Sequence, residues 1–367
     1  MQPDLLNIIR CPVTRMPLRL DTISRQKRQY HALEYDHIWE GILWGGDGWF
    51  YPVIDGVPRL LVESFLDFEE FFCKHLNDYD RRRNFLQKKY FGLINYVIKK
   101  NKRTKQSFTQ EWNLQDPHKD RTWDEDVAGI QNRFFREIDS SANAIKGKLI
   151  FDAGCGNGLL DTLLAERGAK VLAMDFSQSI EAAFIRNTHP DAWFIQGDVQ
   201  FPPVAFMIFD IVHCSGVLIH TNNSEVSFSI LSPCVKPGCM LSVWLYHPRK
   251  DVIHKLFNRI RKITSRLPIN LQYYLYSITL LPMSFIVKRY KGNTQTKREM
   301  MIDILDWFSP QYRWEHTHTE VVAWFYKNGF ETPKITTQNK FGFNIIGKKA
   351  IQNPAKPSLS TNNDKIG

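Results

Sequence analysis

From residue 147 to 348 the chain alternates short apolar runs with stretches of helical spacing. Runs at 147–152, 170–175, 192–196, 208–214 and 239–246, then 332–337 and 343–347, read as strands. Helix-like stretches such as 157–167 and 177–186 lie between them. That alternation predicts an α/β fold whose mostly parallel sheet is covered on both faces. Only Asn339-Lys340 separates the last two runs, which predicts an antiparallel C-terminal hairpin.

The flanking segments differ. Residues 1–62 read as a small α+β unit: a short amphipathic turn at 4–9, β-like runs around 17–20, 36–44 and 49–53, and a turn Ile54-Asp55-Gly56-Val57-Pro58. Residues 63–103 read as a basic helical connector, with Phe85, Leu86, Tyr90, Leu93, Ile94 and Ile98 on one face. The main domain then covers 104–348 and carries a helical insertion over 249–305. Within the insertion, 249–266 places Val252, Ile253, Leu256, Phe257, Ile260 and Ile263 on one helical face. Leu267 to Val287 runs without a charge, long enough to span a bilayer, yet its prolines, amides, hydroxyls and three tyrosines suit a buried lid better. The polar stretch 349–367 reads as a disordered tail.

The chemistry concentrates at 148–158, Lys-Leu-Ile-Phe-Asp-Ala-Gly-Cys-Gly-Asn-Gly. A strand ends on Asp152, and Gly154, Gly156 and Gly158 follow at alternate positions, letting the backbone turn sharply and approach a ligand. The next strand ends on a second acid, Asp175. A dinucleotide site has G-x-G-x-x-G spacing and holds a pyrophosphate there. Here the spacing is G-x-G-x-G behind a carboxylate, which suits a cationic amino-acid moiety and repels a pyrophosphate. S-adenosyl-L-methionine carries the required ammonium.

At this point the chain resembles the class I S-adenosylmethionine-dependent methyltransferases that share D-x-G-C-G-x-G, closely over 145–248 and loosely over 104–348. The resemblance implies their Rossmann-like seven-stranded fold. It implies that Asp152, Gly154, Gly156 and Gly158, with Ala153, Cys155 and Asn157 of the same turn, line the methionine and ribose side. Asp175 would accept both ribose hydroxyls, Phe176 would pack on the adenine, and Asp198 and Val199 would meet its edge. Ser215, closing the fourth strand, is counted with the cofactor residues. The order LLNIIRCPVTRMPL…WFYPVIDGVPRLL resembles the Trm112-like small domains. Their second zinc cysteine is Thr14 here and no later cysteine pair exists, so the expectation is a relative without a metal site.

The acceptor is less legible. Cys214-Ser215-Gly216-Val217 replaces the Asn/Asp-Pro-Pro-Tyr/Phe of exocyclic-amine methylation, leaving an oxygen or carbon acceptor on a small-molecule, lipid-linked or glycan-linked substrate. Such an acceptor needs a general base; His220 is the first candidate, then His316 and His318. The plainer roles are loop structuring for His220 and, for His318, flanking a helix 320–328 capped by Thr319. Ser107, Phe108 and Trp112 match a feature that closes over the cofactor in similar enzymes.

The net charge of +10 sits in two segments: residues 81–105 hold ten Lys/Arg and no acid, and 249–299 hold twelve against Asp251 and Glu299. Solvated helix faces, peripheral membrane contact through 249–290 and a nucleic-acid substrate all fit that pattern. The tRNA or nucleic-acid alternative is not favoured, since no RNA motif is visible. A catalytically silent cofactor-binding module is the further alternative. Six cysteines without a CxxC pair, and no leader-like segment, place the expectation in the cytoplasm, with contact at the membrane surface.

Overall fold

The computed structural model describes residues 1–31, 33–114, 120 and 126–351; the expected disordered tail lies outside them from 352 onward. The chain opens with a four-stranded antiparallel sheet, β1 (Arg19–Tyr30), β2 (Leu33–Trp44), β3 (Phe50–Ile54) and β4 (Val57–Pro58). Helices α1 (Ser64–Asp67), α2 (Glu69–His75), α3 (Tyr79–Lys89), α4 (Phe91–Leu114) and α5 (Val127–Glu137) follow. The main sheet is built from β5 (Leu149–Ala153), β6 (Lys170–Asp175), β7 (Ala192–Gln196), β8 (Phe209–Ser215) and β9 (Val235–Tyr246), then β10 (Phe330–Gln338) and β11 (Gly342–Lys349). Its helices are α6 (Leu159–Glu166), α7 (Ile180–Arg186) and α8 (Ser224–Leu231), the insertion helices α9 (Val252–Thr264), α10 (Ile269–Ile278), α11 (Leu280–Tyr290) and α12 (Lys297–Phe308), and α13 (His318–Lys327).

The sheet order is β10-β11-β9-β8-β5-β6-β7; β11 runs antiparallel to β9 and β10, and the other neighbours are parallel. This is the expected seven-stranded, mostly parallel methyltransferase arrangement with its C-terminal hairpin. The central strands are buried on both faces, which is why they read as continuous apolar runs.

The N-terminal unit is fused to the main sheet. Leu60 N–H donates to the Gln196 carbonyl at 2.8 Å, and Arg10 N–H to the Pro203 carbonyl at 2.8 Å. Arg28 Nη2 reaches the carbonyls of Phe184 (2.7 Å), Ile185 (3.0 Å) and Asn187 (2.8 Å), satisfying the C-terminus of α7. One apolar core runs from Ile9, Trp49, Phe50 and Val62 into Phe151, Met174 and Ile195. The strand expected at 17–20 extends to Tyr30, because β1 is exposed over most of its length and its polar sequence hides it. The Cys11 thiol is buried 3.3 Å from the Tyr51 hydroxyl, and Thr14 donates its backbone N–H to that sulfur at 3.4 Å.

Two expected boundaries move. The connector edge at 103 falls inside the continuous helix α4, because Lys100, Asn101, Thr104, Phe108 and Glu111 recur at helical spacing on the face that covers the main cavity. The uncharged run 267–287 is two helices joined at Thr279, and no helix among the described residues is long and apolar enough to cross a membrane. Within the insertion, α12 is the helix that reaches the cavity; it packs on α4 and carries Asp306 inward.

Candidate active site

Past the end of β5, Gly154, Gly156 and Gly158 adopt φ of 121°, 57° and 74°, a left-handed conformation that side chains resist. At Gly154 the space is also taken: a Cβ there would stand 2.1 Å from Val217 Cγ2. The turn is tied to the next strand by Gly154 and Cys155, both donating to the Met174 carbonyl (2.8 and 3.0 Å). Gly156 N–H donates to Asp175 Oδ2 at 2.9 Å, while Ser177 donates to Oδ1 through its N–H (2.8 Å) and hydroxyl (2.6 Å). Burial pushes the Asp175 carboxyl up, and these bonds pull against it. The carboxylate is thereby aimed, with lone pairs left for a ligand.

Beside it opens a cavity at the C-terminal ends of the parallel strands, where ligands bind in open α/β sheets. Met174, Asp175, Phe176, Gly197, Asp198 and Val199 border one end; Ser215, Gly216, Val217, His220, Asp306 and Tyr312 border the other; α4 is the roof. Of the expected cofactor residues, Gly154, Asp175, Phe176, Asp198, Val199 and Ser215 meet on this cavity. Asn157 and Gly158 line a separate hollow beside α6 and α7. Asp152, Ala153, Cys155 and Gly156 border neither.

Asp152 points away because His213 claims it. His213 Nδ1 lies 2.9 Å from Asp152 Oδ1, and its Nε2 lies 2.9 Å from Glu137 Oε2, all three side chains being buried. Carboxylates only accept, so both ring nitrogens carry hydrogen and the ring is an imidazolium. Burial alone would lower its pKa, but Asp152 and Glu137 raise it to about 10. A histidine inside a buried parallel strand was the sequence signal for this group.

Asp198 is also engaged. Lys100 Nζ, from the roof, stands 2.7 Å from Asp198 Oδ2 and 2.6 Å from Gln200 Oε1. The ion pair is buried on both sides. Neither Lys100 nor Glu111 was marked in the sequence, because each sits in a helix whose partner strand lies about a hundred residues or more away.

His220 borders the cavity, buried against Phe108 (ring centroids 5.2 Å apart). Its Nδ1 is 2.9 Å from the Tyr312 carbonyl, so Nδ1 bears the hydrogen and Nε2 keeps a free lone pair. Nε2 faces Asp306 Oδ1 at 3.9 Å, and Tyr246 donates to the other Asp306 oxygen at 3.0 Å. Burial, with Arg313 and Arg261 nearby, lowers the His220 pKa to about 3, so the ring is neutral. His316 and His318 do not border the cavity. His316 pairs with Glu320 at 3.0 Å, and His318 packs on the Phe343 ring at 4.3 Å. Thr317, not Thr319, caps α13, in a reciprocal capping box with Glu320.

Residues 151–243 match the family model of a methyltransferase domain. Within curated proteins, the chain is similar to the ubiquinone biosynthesis O-methyltransferase of Azoarcus sp. (strain BH72), 32% identical over 100 residues, covering 26% of this chain and 42% of that protein. It is similar to the demethylmenaquinone methyltransferase of Renibacterium salmoninarum, 29% identical over 154 residues, covering 40% of this chain and 65% of that protein. The chain thus spans less than half the length of the ubiquinone-biosynthesis relatives it matches. Among solved structures, the magnesium protoporphyrin IX methyltransferase of Synechocystis PCC 6803 with bound SAH aligns at a TM-score of 0.39 and 15% identity, over 68% of this chain and 98% of that one. The matched segment therefore begins inside β5 and ends inside β9, enclosing the glycine turn, Asp175 and His220.

The His213 bridge makes a pH signature. Its pKa lies near 10 in the fold against about 6.5 in an unfolded chain. Its stabilisation is therefore complete below about pH 6.5 and lost as pH rises toward 10. His213→Gln is expected to destabilise the protein by about 3 kcal/mol at pH 7, because two buried carboxylates lose their cation. Urea unfolding between pH 6 and pH 10 checks this: the wild type should lose stability across that window, and the variant should lose less.

Proposed function

We propose that this chain is an S-adenosyl-L-methionine-dependent methyltransferase acting on an oxygen of a small-molecule, lipid-linked or glycan-linked acceptor. The observation that carries the reading is the Asp175 carboxylate, held by Gly156 and Ser177 at a cavity that Gly154 of the glycine turn also borders. The residues fit the cofactor. A fixed carboxylate matches a ribose diol. Phe176 offers a face for a purine. Glu111, Asp175 and Asp306 line the cavity with acidic groups that suit a sulfonium cation and oppose a pyrophosphate. Asp152, neutralised by His213, serves this site by fixing the turn from behind.

When bound, the cofactor would supply an activated methyl group, its bond to sulfur breaking with the electron pair left on sulfur as the acceptor oxygen takes the methyl. The chain's own task is to place the acceptor oxygen in line and to take its proton. His220 Nε2 is the free lone pair placed to accept that proton, and Asp306 Oδ1, 3.9 Å away, is the acid that would offset the low basicity that burial, Arg313 and Arg261 give the ring. Phe108 lies in the roof and packs on His220, helping to keep it from solvent, whereas Ser107, buried one residue earlier on α4, does not border the cavity.

A second observation supports contact with an anionic bilayer. Helices α9 to α11 leave Val252 (80% exposed), Ile263 (70%), Ile286 (68%) and Tyr290 (93%) open to solvent. Lys255, Arg259, Lys262 and Arg266 are exposed on the same insertion. Apolar and basic groups on one surface suit a headgroup layer. The other basic segment is different: Arg82 pairs with Asp78, Arg83 with Glu69, Lys105 with Asp67 and Lys100 with Asp198. That pairing weakens the case for a nucleic-acid substrate.

Calorimetric titration tests the cofactor: S-adenosylhomocysteine should bind the wild type, and Asp175→Ala should weaken binding at least tenfold. Once an acceptor is in hand, the rate should show no inflection near pH 6.5, since His220 stays neutral from about pH 4 upward, and His220→Ala should lower kcat about a hundredfold or more. Sedimentation with vesicles tests the surface. Phosphatidylglycerol vesicles should carry the protein down, phosphatidylcholine vesicles should not, and Ile253→Asp with Ile263→Asp should abolish the difference.

A further inference from the structure

We infer that Glu111 of the roof helix, and not Asp152 of the glycine turn, holds the α-ammonium of the bound cofactor. This rests on the methyl-transfer reading above and concerns the methionine end of the same site. The sequence pattern points to Asp152 for that cation, but the fold commits Asp152 elsewhere. It is buried, borders neither the cavity nor the hollow beside α6 and α7, and is met by the His213 imidazolium at 2.9 Å. Glu111 is the reverse case. It recurs with Lys100, Thr104 and Phe108 on the face of α4 that covers the cavity. It is 1% exposed, and its Oε2 has no hydrogen-bond partner among the described residues. A buried carboxyl oxygen in that state is one that an N–H of a guest satisfies.

The surrounding charges select a cation. Burial first, then Asp306 and Asp303 of α12 and Asp175 of β6, drive the Glu111 carboxyl well above the usual carboxylate range. Tyr246 of β9 lies near enough to feel Glu111, and burial keeps that phenol neutral. The cations around the site are engaged with other groups. On α4 itself, Asp198 and Gln200 hold Lys100, while Glu63 and Asp67 hold Lys105. Arg313 bonds Glu315 at 2.7 Å and offsets Asp306, and with Arg261 it keeps His220 neutral. Glu111 is therefore protonated in the free protein at neutral pH and ionises when a guest brings positive charge. The cofactor has two cationic centres at its methionine end. Its sulfonium has no N–H and leaves Oε2 unsatisfied, whereas its ammonium donates three. Asp306 is the poorer host, since Tyr246 and Arg313 already meet it. As the ammonium binds, the Glu111 proton leaves to solvent, so binding tightens as pH rises toward the raised pKa.

The test is calorimetric titration of the full chain with S-adenosylhomocysteine and with its desamino analogue, identical except that hydrogen replaces the α-amino group. The wild type should bind S-adenosylhomocysteine about tenfold tighter or more, the worth of a buried charge-assisted hydrogen bond. That binding should release a proton at neutral pH, read as an enthalpy that differs between phosphate and Tris buffers. It should also tighten from about pH 6 to about pH 8, and the analogue should do neither. Glu111→Gln keeps the shape and removes the charge. It should bring the two ligands within about threefold of each other while binding the analogue as the wild type does, which also shows that the variant folds. Glu111→Asp should retain part of the preference. If the glutamine variant does not fold, proton release by the wild type decides. Equal binding of the two ligands by the wild type, a preference that survives Glu111→Gln, or no proton released beyond that seen with the analogue overturns the inference alone. Failure of both ligands to bind the wild type overturns the cofactor reading, and this inference with it.

Discussion

The tie between the glycine turn and Asp175 is the constraint on which the site depends. Gly156 N–H on Asp175 and the paired N–H groups of Gly154 and Cys155 on the Met174 carbonyl lock the ends of β5 and β6 together. A side chain at 154 would drive into Val217. The cavity is the space that remains when two strand ends are held this way and the chain must still pass from strand to helix. Its floor is thus backbone, rigid and already paired, and its chemistry comes from the few side chains that reach over the rim.

Those side chains are positioned by buried charge. Behind the turn, His213 bridges Asp152 and Glu137; above it, Lys100 clamps the roof helix to Asp198. Neither pair is a strong stabiliser by itself, because desolvation offsets most of the Coulomb gain. Breaking one leaves an uncompensated buried charge, so both enforce a single arrangement. The roof and the floor are held together at the Asp198 end of the cavity. At the His220 end, Glu111 keeps a buried carboxyl oxygen without a hydrogen-bond partner, and it is there that a guest has something to satisfy.

The N-terminal unit belongs to the same construction. Its core is continuous with that of the main sheet, and Arg28 closes the end of α7. From it the chain enters α1 to α4, and Glu63 accepts from Asn101 at 3.1 Å, one residue from the lysine that clamps the roof. The first hundred residues therefore shape the cavity from outside the segment that matches the methyltransferase domain.

Much of the sheet was legible in the sequence. β6 and β7 lie where the apolar runs put them, and β5, β8 and β11 end within a residue or two, since strands buried on both faces record their burial as unbroken apolar sequence. Asp175 and the glycine turn were legible too, because a turn and the strand that follows it are local. The exposed strand β1 and the break at Thr279 were not, since neither changes the hydrophobic period. Tertiary structure alone decided that Asp152 faces His213, that Lys100 occupies Asp198, and that Glu111, His220 and Asp306 share one end of a cavity. The reason is physical: periodicity along a chain reports whether a residue is buried, whereas the partner of a buried charge is chosen by packing between segments about sixty to two hundred residues apart.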